Sequence, residues 1–210
     1  MVMIRLSILL IFVFSLVNAM HPAVHRRSHA RAFVELQCRA TRYPELCVRC
    51  LFNLITNSNV TQLNNQRLAQ IALRVSLARA QSTRVYVTEV AKLFKKSKAK
   101  GYQQVKDCLD QINDGVDQIS NSIKELQQMN EDGESEFPWH ASNVQTWMSA
   151  AVTDASSCLD GFSGRSIGSK MKAMIKAKVL NLVQVNSNAL ALFNRFAARY
   201  RASHVTKPKV

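Results

Sequence analysis

At 210 residues the chain is long enough for one domain with a substantial core, and 28 Lys and Arg against 14 Asp and Glu give it a formal charge of +14. Such a balance implies a polyanionic neighbour. No nucleic-acid motif is present and the aromatic residues are not interleaved with the basic runs, so an acidic polysaccharide or a membrane surface is expected in place of nucleic acid.

The first residues set the compartment. Arg5 precedes an almost wholly apolar run, Leu6 to Val17, and Val17-Asn18-Ala19 offers small residues where a signal peptidase reads. This is the anatomy of a secretory signal peptide, expected at 1–19. The run is shorter than the ~20 residues that span a bilayer. Loss of the leader with Arg5 leaves 27 basic against 14 acidic residues, a charge of +13. In an oxidising compartment thiols pair, and a CxxC is a poor sign of zinc. Cys47-Val48-Arg49-Cys50 has no second CxxC. His21, His25 and His29 follow the leader, and His140 and His204 are far along the chain, so no metal site is expected.

Six Gly and four Pro, abundant Ala, Leu, Gln, Lys and Arg, and little period-2 alternation describe a helical chain. From residue 30 to 57, "AFVELQCRAT" and "PELCVRCLFNLIT" are short amphipathic pieces separated by Tyr43-Pro44. Pro44 should open the second, because proline suits a first helical turn and disfavours helix in the residue before it. This predicts a helical hairpin. A Cys38–Cys47 bond would close ten residues, worth roughly 2.7 kcal/mol in the chain-entropy model. Between hairpin and next helix lies the sequon Asn59-Val60-Thr61, and a glycan is expected at Asn59.

Four longer amphipathic helices follow. The first, about 62–96, carries Leu68, Ile71, Val75, Ala78, Ser82 and Val85 at three-four spacing, and Val90 and Phe94 continue the stripe after a slip of register. The second, about 103–129, carries Val105, Cys108, Ile112, Val116, Ile119, Ile123 and Leu126. In the third, about 142–162, the stripe is Val144, Trp147, Met148, Ala151, Ala155, Cys158 and Phe162. In the fourth, about 169–201, it runs Met171, Ile175, Val179, Leu182, Asn186, Ala189, Phe193, Phe196 and Tyr200. Repeated three-four steps joined by "KKSKAKG", "NEDGESEFPWHA" and "SGRSIGS" predict an all-α, up-down-up-down four-helix bundle behind the hairpin. The domain is expected over 30–201, with a basic tail at 202–210. Cys108 and Cys158 lie on neighbouring core stripes and could meet, in a loop worth roughly 4 kcal/mol. Four cysteines permit three pairings and a fifth adds more, so spacing leaves the connectivity open. Cys50 is the odd cysteine and reads as a buried free thiol.

Catalytic chemistry is not evident. Asp107, Asp110, Asp114 and Asp117 follow a solvated helix face. Asp154 and Asp160 are too isolated for a carboxylate pair. Neither Ser149 nor Ser163 lies in a nucleophile motif, and there is no phosphate-binding loop. No enzyme and no cofactor are expected.

Three stretches, "CRATRYPELC", "YQQVKDCLDQINDGVDQISNSIKEL" and "VQTWMSAAVTDASSCLDGF", resemble the plant invertase and pectin methylesterase inhibitor family. The Cys-x8-Cys with Thr41, Tyr43 and Pro44 inside it is similar to the family's N-terminal hairpin. Trp147, Ser149, Ala150, Ala151, Thr153, Cys158, Asp160, Gly161 and Phe162 are similar to its third bundle helix. The resemblance implies the hairpin-plus-bundle fold and the disulfides Cys38–Cys47 and Cys108–Cys158. It also implies an inhibitor that binds a plant cell-wall enzyme and occludes its carbohydrate cleft. The extra Cys50 and the high positive charge depart from many members.

The contact surface is expected on the second and third bundle helices, at Gln111, Asp114, Gln118, Asn121, Ser122, Gln145, Thr146 and Thr153. Family inhibitors of acid invertase typically carry Pro-Lys-Phe near the loop between those helices. Here the loop has Phe137 before Pro138 and no lysine between. The expectation is therefore a secreted, apoplastic inhibitor of pectin methylesterase, with acid invertase as the alternative target. The chain ends at Val210 without a catalytic domain, which favours a stand-alone inhibitor over an enzyme's pro-region. Separately, "KLFKKSKAKGYQQVK", "SKMKAMIKAK", "RYRASHVTKPKV" and "HRRSHARAF" suit a protein that binds anionic surfaces, acidic pectin or membrane.

Overall fold

A computed structural model describes residues 29–57, 63–129, 135–162 and 167–205, and every regular element in them is helical. The leader at 1–19, Asn59 and positions 206–210 lie outside the described residues. Residues 29–38 form α1. Then come α2 (Pro44–Asn57), α3 (Asn65–Lys96), α4 (Tyr102–Gln128), α5 (Phe137–Asp160) and α6 (Ser169–Val205). Helices α3 to α6 make the bundle. Each packs on the next, and α6 closes the ring against α3, while α2 lies over α3 and α6.

Local chemistry sets the helix ends. Pro44 opens α2 as its fixed φ favours. Asn64 caps α3 by accepting a hydrogen bond from Arg67 N at 2.8 Å. At the other end of α3, Lys98 takes the left-handed conformation (φ 50°). Ala99 N then reaches Phe94 O at 3.0 Å and Lys98 N reaches Lys95 O at 3.3 Å. That is a Schellman closure with a lysine where glycine is usual. Helix α5 begins at Phe137 with Pro138 in its first turn, five residues before the periodicity at Ser142 becomes legible. Helix α6 continues to Val205, so the first four residues of the expected tail are helical.

The core stripes of α4, α5 and α6 follow the sequence pattern. In α3 they do not. Its buried residues include Ala69, Ala72, Ser76, Ala80 and Thr83, whereas Ala78, Ser82 and Val85 are exposed. The buried face of α3 mixes these small side chains with Leu68, Leu73, Val87 and Val90. The larger Ile71 and Val75 sit only partly buried beside it. Between Leu68 and Val90 the expected stripe runs one position off the buried face, which passes through Ala69, Ala72, Ser76, Ala80 and Thr83.

The hairpin buries Val34, Cys47, Leu51 and Ile55 against the bundle, and its turn is fixed by one side chain. Asn188 of α6 is buried; its Oδ1 accepts from Tyr43 N at 3.0 Å and its Nδ2 donates to Tyr43 O at 2.9 Å. Both main-chain groups of the residue before Pro44 are thereby satisfied where the turn meets the bundle. Thr41 Oγ1 donates to Cys38 O at 2.8 Å inside the same turn.

Candidate functional site

Cys108 of α4 is bonded to Cys158 of α5 with Cα atoms 4.4 Å apart, and Cys38 is bonded to Cys47 across the hairpin with Cα atoms 5.7 Å apart. Cys50 is a free thiol, half-buried and not fully enclosed. Seven residues beyond Cys108, Gly115 lies flat on α5: a Cβ there would sit 3.9 Å from Ala151 O. The pair is tied once more near the opposite end. Glu125 Oε1 is 2.9 Å from His140 Nδ1 and accepts from Asn143 Nδ2 at 2.6 Å, with Glu125 and His140 both buried. This buried polar group is not legible in the sequence, since each member looks like an ordinary surface residue within its own helix.

These ties align the outer side of α4 and α5. Gln111, Asp114, Gln118 and Asn121 step by three and four along α4; Asp114 and Asn121 are exposed, Gln111 and Gln118 half-buried. Gln118 of α4 lies close enough to the Asp154 carboxyl of α5 to influence its titration. Asp154 is not isolated, as its spacing suggests. Partial burial pushes its carboxyl above the usual carboxylate range, the Gln118 amide opposes that shift, and the Asp114 charge adds to it. On α5, Thr146 and Thr153 are exposed.

Two expected contact residues are placed elsewhere. Ser122 is fully buried, with its Oγ donating to Gln118 O at 2.9 Å. It falls on the α4 core stripe with Gly115, Ile119 and Leu126, where a small hydroxyl satisfied by its own helix can pack. Gln145 turns away from α4 and donates to Asn194 Oδ1 of α6 at 2.9 Å.

Sequence reading also passed over Trp139, which is 66 % exposed on the first turn of α5. It precedes Thr146 and Thr153 by seven and fourteen residues, so the three share one outward stripe. The signal that could have found it was the start of α5 at Phe137. Among the described residues no group of three or more His, Cys, Asp or Glu could hold a metal ion, and no helix is long and apolar enough to cross a membrane.

The bundle thus presents a polar stripe on α4 and α5 that ends in the exposed Trp139. Residues 32–192 match the family model described as plant invertase/pectin methylesterase inhibitor, and the chain belongs to that family, one of inhibitors and not enzymes. It is similar to pectinesterase inhibitor 9 of Arabidopsis thaliana, 43% identical over 178 residues, covering 84% of this chain and 86% of the relative. Similarity to pectinesterase inhibitor 11 of the same plant is 42% over 169 residues, covering 80% and 82%. The fold is similar to the crystal structure of a mutant form of a pectin methylesterase inhibitor from Arabidopsis, with a TM-score of 0.56 over 75% of this chain and 92% of that one, at 18% identity.

Proposed function

We propose that the protein inhibits plant pectin methylesterase by laying the outer face of α4 and α5 over the enzyme's pectin cleft. The observation that carries this reading is its similarity, at 43% and 42% identity over most of both chains, to two proteins named pectinesterase inhibitors. The α4–α5 face supports the mode of action. Asp114, Gln118, Asn121, Thr146 and Thr153 supply hydrogen-bonding groups on two helices stapled by Cys108–Cys158. Groups already ordered before binding lose less conformational freedom on association. Trp139 adds an aromatic anchor of the kind that dominates interface energetics. Inhibition is then steric and reversible, with no covalent step. The leader at 1–19, the sequon at Asn59 and two disulfides fit a secreted, glycosylated protein of the cell wall.

Purified protein titrated in parallel against plant pectin methylesterases and acid invertase tests the reading. Near-stoichiometric, reversible loss of methylester hydrolysis with invertase untouched is expected. Invertase blocked with a panel of methylesterases unaffected would overturn the target and leave the fold standing.

A further inference from the structure

The charges that make the chain basic are segregated within the bundle. Helix α3 carries seven Lys and Arg against Glu89 alone, and α6 carries seven against no carboxylate. Helix α4 carries two lysines against five carboxylates, and α5 has Asp154 and Asp160 with no Lys or Arg. With histidine neutral, α3 and α6 hold +6 and +7, together +13; α4 and α5 hold −3 and −2, together −5. Because α3 packs on α6 and α4 on α5, the bundle has one basic side and one acidic side.

The basic side is not featureless. An open groove of about 590 Å³ runs between α2, α3 and α6, within the range of small-molecule and saccharide subsites. Arg49 of α2 and Arg79 of α3 stand on it, both exposed and neither in an ion pair among the described residues. The one nearby carboxylate on α2, Glu45, borders a neighbouring depression shared with Arg49 and Phe52. Asn53, Ser82 and Asn181 also line the groove, beside apolar Leu46, Leu54, Val75 and Ala78.

This set of groups matches one kind of anion. A uronate ring offers a carboxylate for a guanidinium fork, hydroxyls for amides and a serine, and an apolar C–H face for the apolar side chains. A chain of such rings repeats the carboxylate, and the lysines and arginines flanking the groove along α3 and α6 can follow it. We propose that the basic α3–α6 side, centred on Arg49 and Arg79, binds a linear polyuronate, which leaves the α4–α5 face free for its protein partner. The choice of a polyuronate among polyanions rests on the proposed function, because pectin methylesterase turns a neutral ester polymer into that product. The inhibitor is thus held on the product of the enzyme it restrains.

The test needs no esterase. A defined-length oligogalacturonate is titrated calorimetrically into the full mature protein, alongside its fully methyl-esterified counterpart, heparin, and phosphatidylserine vesicles. The oligogalacturonate should bind, weaken as salt rises, and lose affinity roughly tenfold or more in R49Q/R79Q, since both charge-assisted contacts to carboxylates are removed. The esterified oligomer should not bind measurably. Far-UV circular dichroism checks the fold of the double variant, and the single variant Arg79→Gln provides an intermediate loss. Equal binding of the esterified oligomer, undiminished binding by R49Q/R79Q, or equal or tighter binding to heparin or vesicles overturns the proposal. Oligogalacturonate binding without esterase inhibition would leave the groove assignment standing and remove the proposed function; inhibition without such binding would do the reverse.

Discussion

The α4–α5 pair and the α3–α6 pair are both antiparallel helices in one bundle, yet they are held by different means. On α4–α5 the seam combines large side chains such as Ile112, Ile119 and Met148 with a covalent staple and the buried Glu125–His140–Asn143 group. On α3–α6 the seam of α3 is mostly Ala, Ser and Thr, and its polar tie is Ser76 with Asn186, whose Nδ2 also donates to Ala151 O at 3.3 Å. The first arrangement keeps an outer surface rigid and uncovered. The second allows close approach of two basic helices, with the hairpin laid across them through Asn188. The lesson is that one bundle keeps its two outer faces apart in charge and in burden.

Removing the staple should distinguish the pairs most. C108S/C158S is expected to lose about 4 kcal/mol in denaturant unfolding, from a loop with a sequence separation of 50. The C38S/C47S variant should lose less and Cys50→Ser least. A Cys50→Ser loss that exceeds the other two would contradict the pairing.

The two polar ties come next. Asn186→Ala leaves Ser76 Oγ and the Ala151 carbonyl without their partner, and His140→Ala leaves buried Glu125 with fewer. Each should cost ~1–3 kcal/mol, read as a shift of the denaturation midpoint. If Asn186→Ala is neutral, the α3–α6 seam is held by packing alone.

Gly115→Ala should go the other way. A methyl group there meets Ala151 at ordinary contact distance, so the gain in helix propensity, about 0.5–1 kcal/mol, is not lost to a clash. A drop in Tm would show that α4 and α5 are closer than this geometry gives.

Asp154→Asn should have the smallest effect, and its sign is set by pH. A carboxyl raised in the folded state binds its proton more tightly there than in the unfolded chain. Stability is therefore lost as pH rises from the ordinary carboxylate value of 3.8 through the raised folded value, and the deficit stays constant above it. Replacement by Asn should raise Tm slightly at neutral pH and leave it unchanged in strong acid. An increase that persists below both pKa values would point to packing and not to charge.

How much of this was legible before the structure depended on side-chain size. The stripes of α4, α5 and α6 could be read because large apolar residues mark them, and Pro44 marked the hairpin turn. The α3 stripe was legible only at Leu68 and Val90, because small Ala69, Ala72, Ser76, Ala80 and Thr83 share the buried face with Leu73 and Val87, while Ile71 and Val75 are only partly buried. On the outer face of α4 and α5, Asp114, Asn121, Thr146 and Thr153 are exposed and Gln118 is half-buried, as periodicity alone could suggest. Ser122 is not exposed, because a hydroxyl bonded to its own helix can be buried. Asp154, His140 and Trp139 were missed because their roles depend on the register of α5 against α4, which a single helix does not encode.

The most direct test of the central claim sets one face against the other in a single inhibition titration. Thr146→Arg with Thr153→Arg places two bulky charges on the α4–α5 face at exposed positions; R49Q/R79Q alters the opposite side. With a neutral small-ester substrate, so that polymer binding does not enter, the account predicts that the α5 variant loses inhibition of pectin methylesterase by about tenfold or more, while R49Q/R79Q inhibits like the unmodified protein. Full inhibition by the α5 variant, with loss confined to R49Q/R79Q, would contradict it.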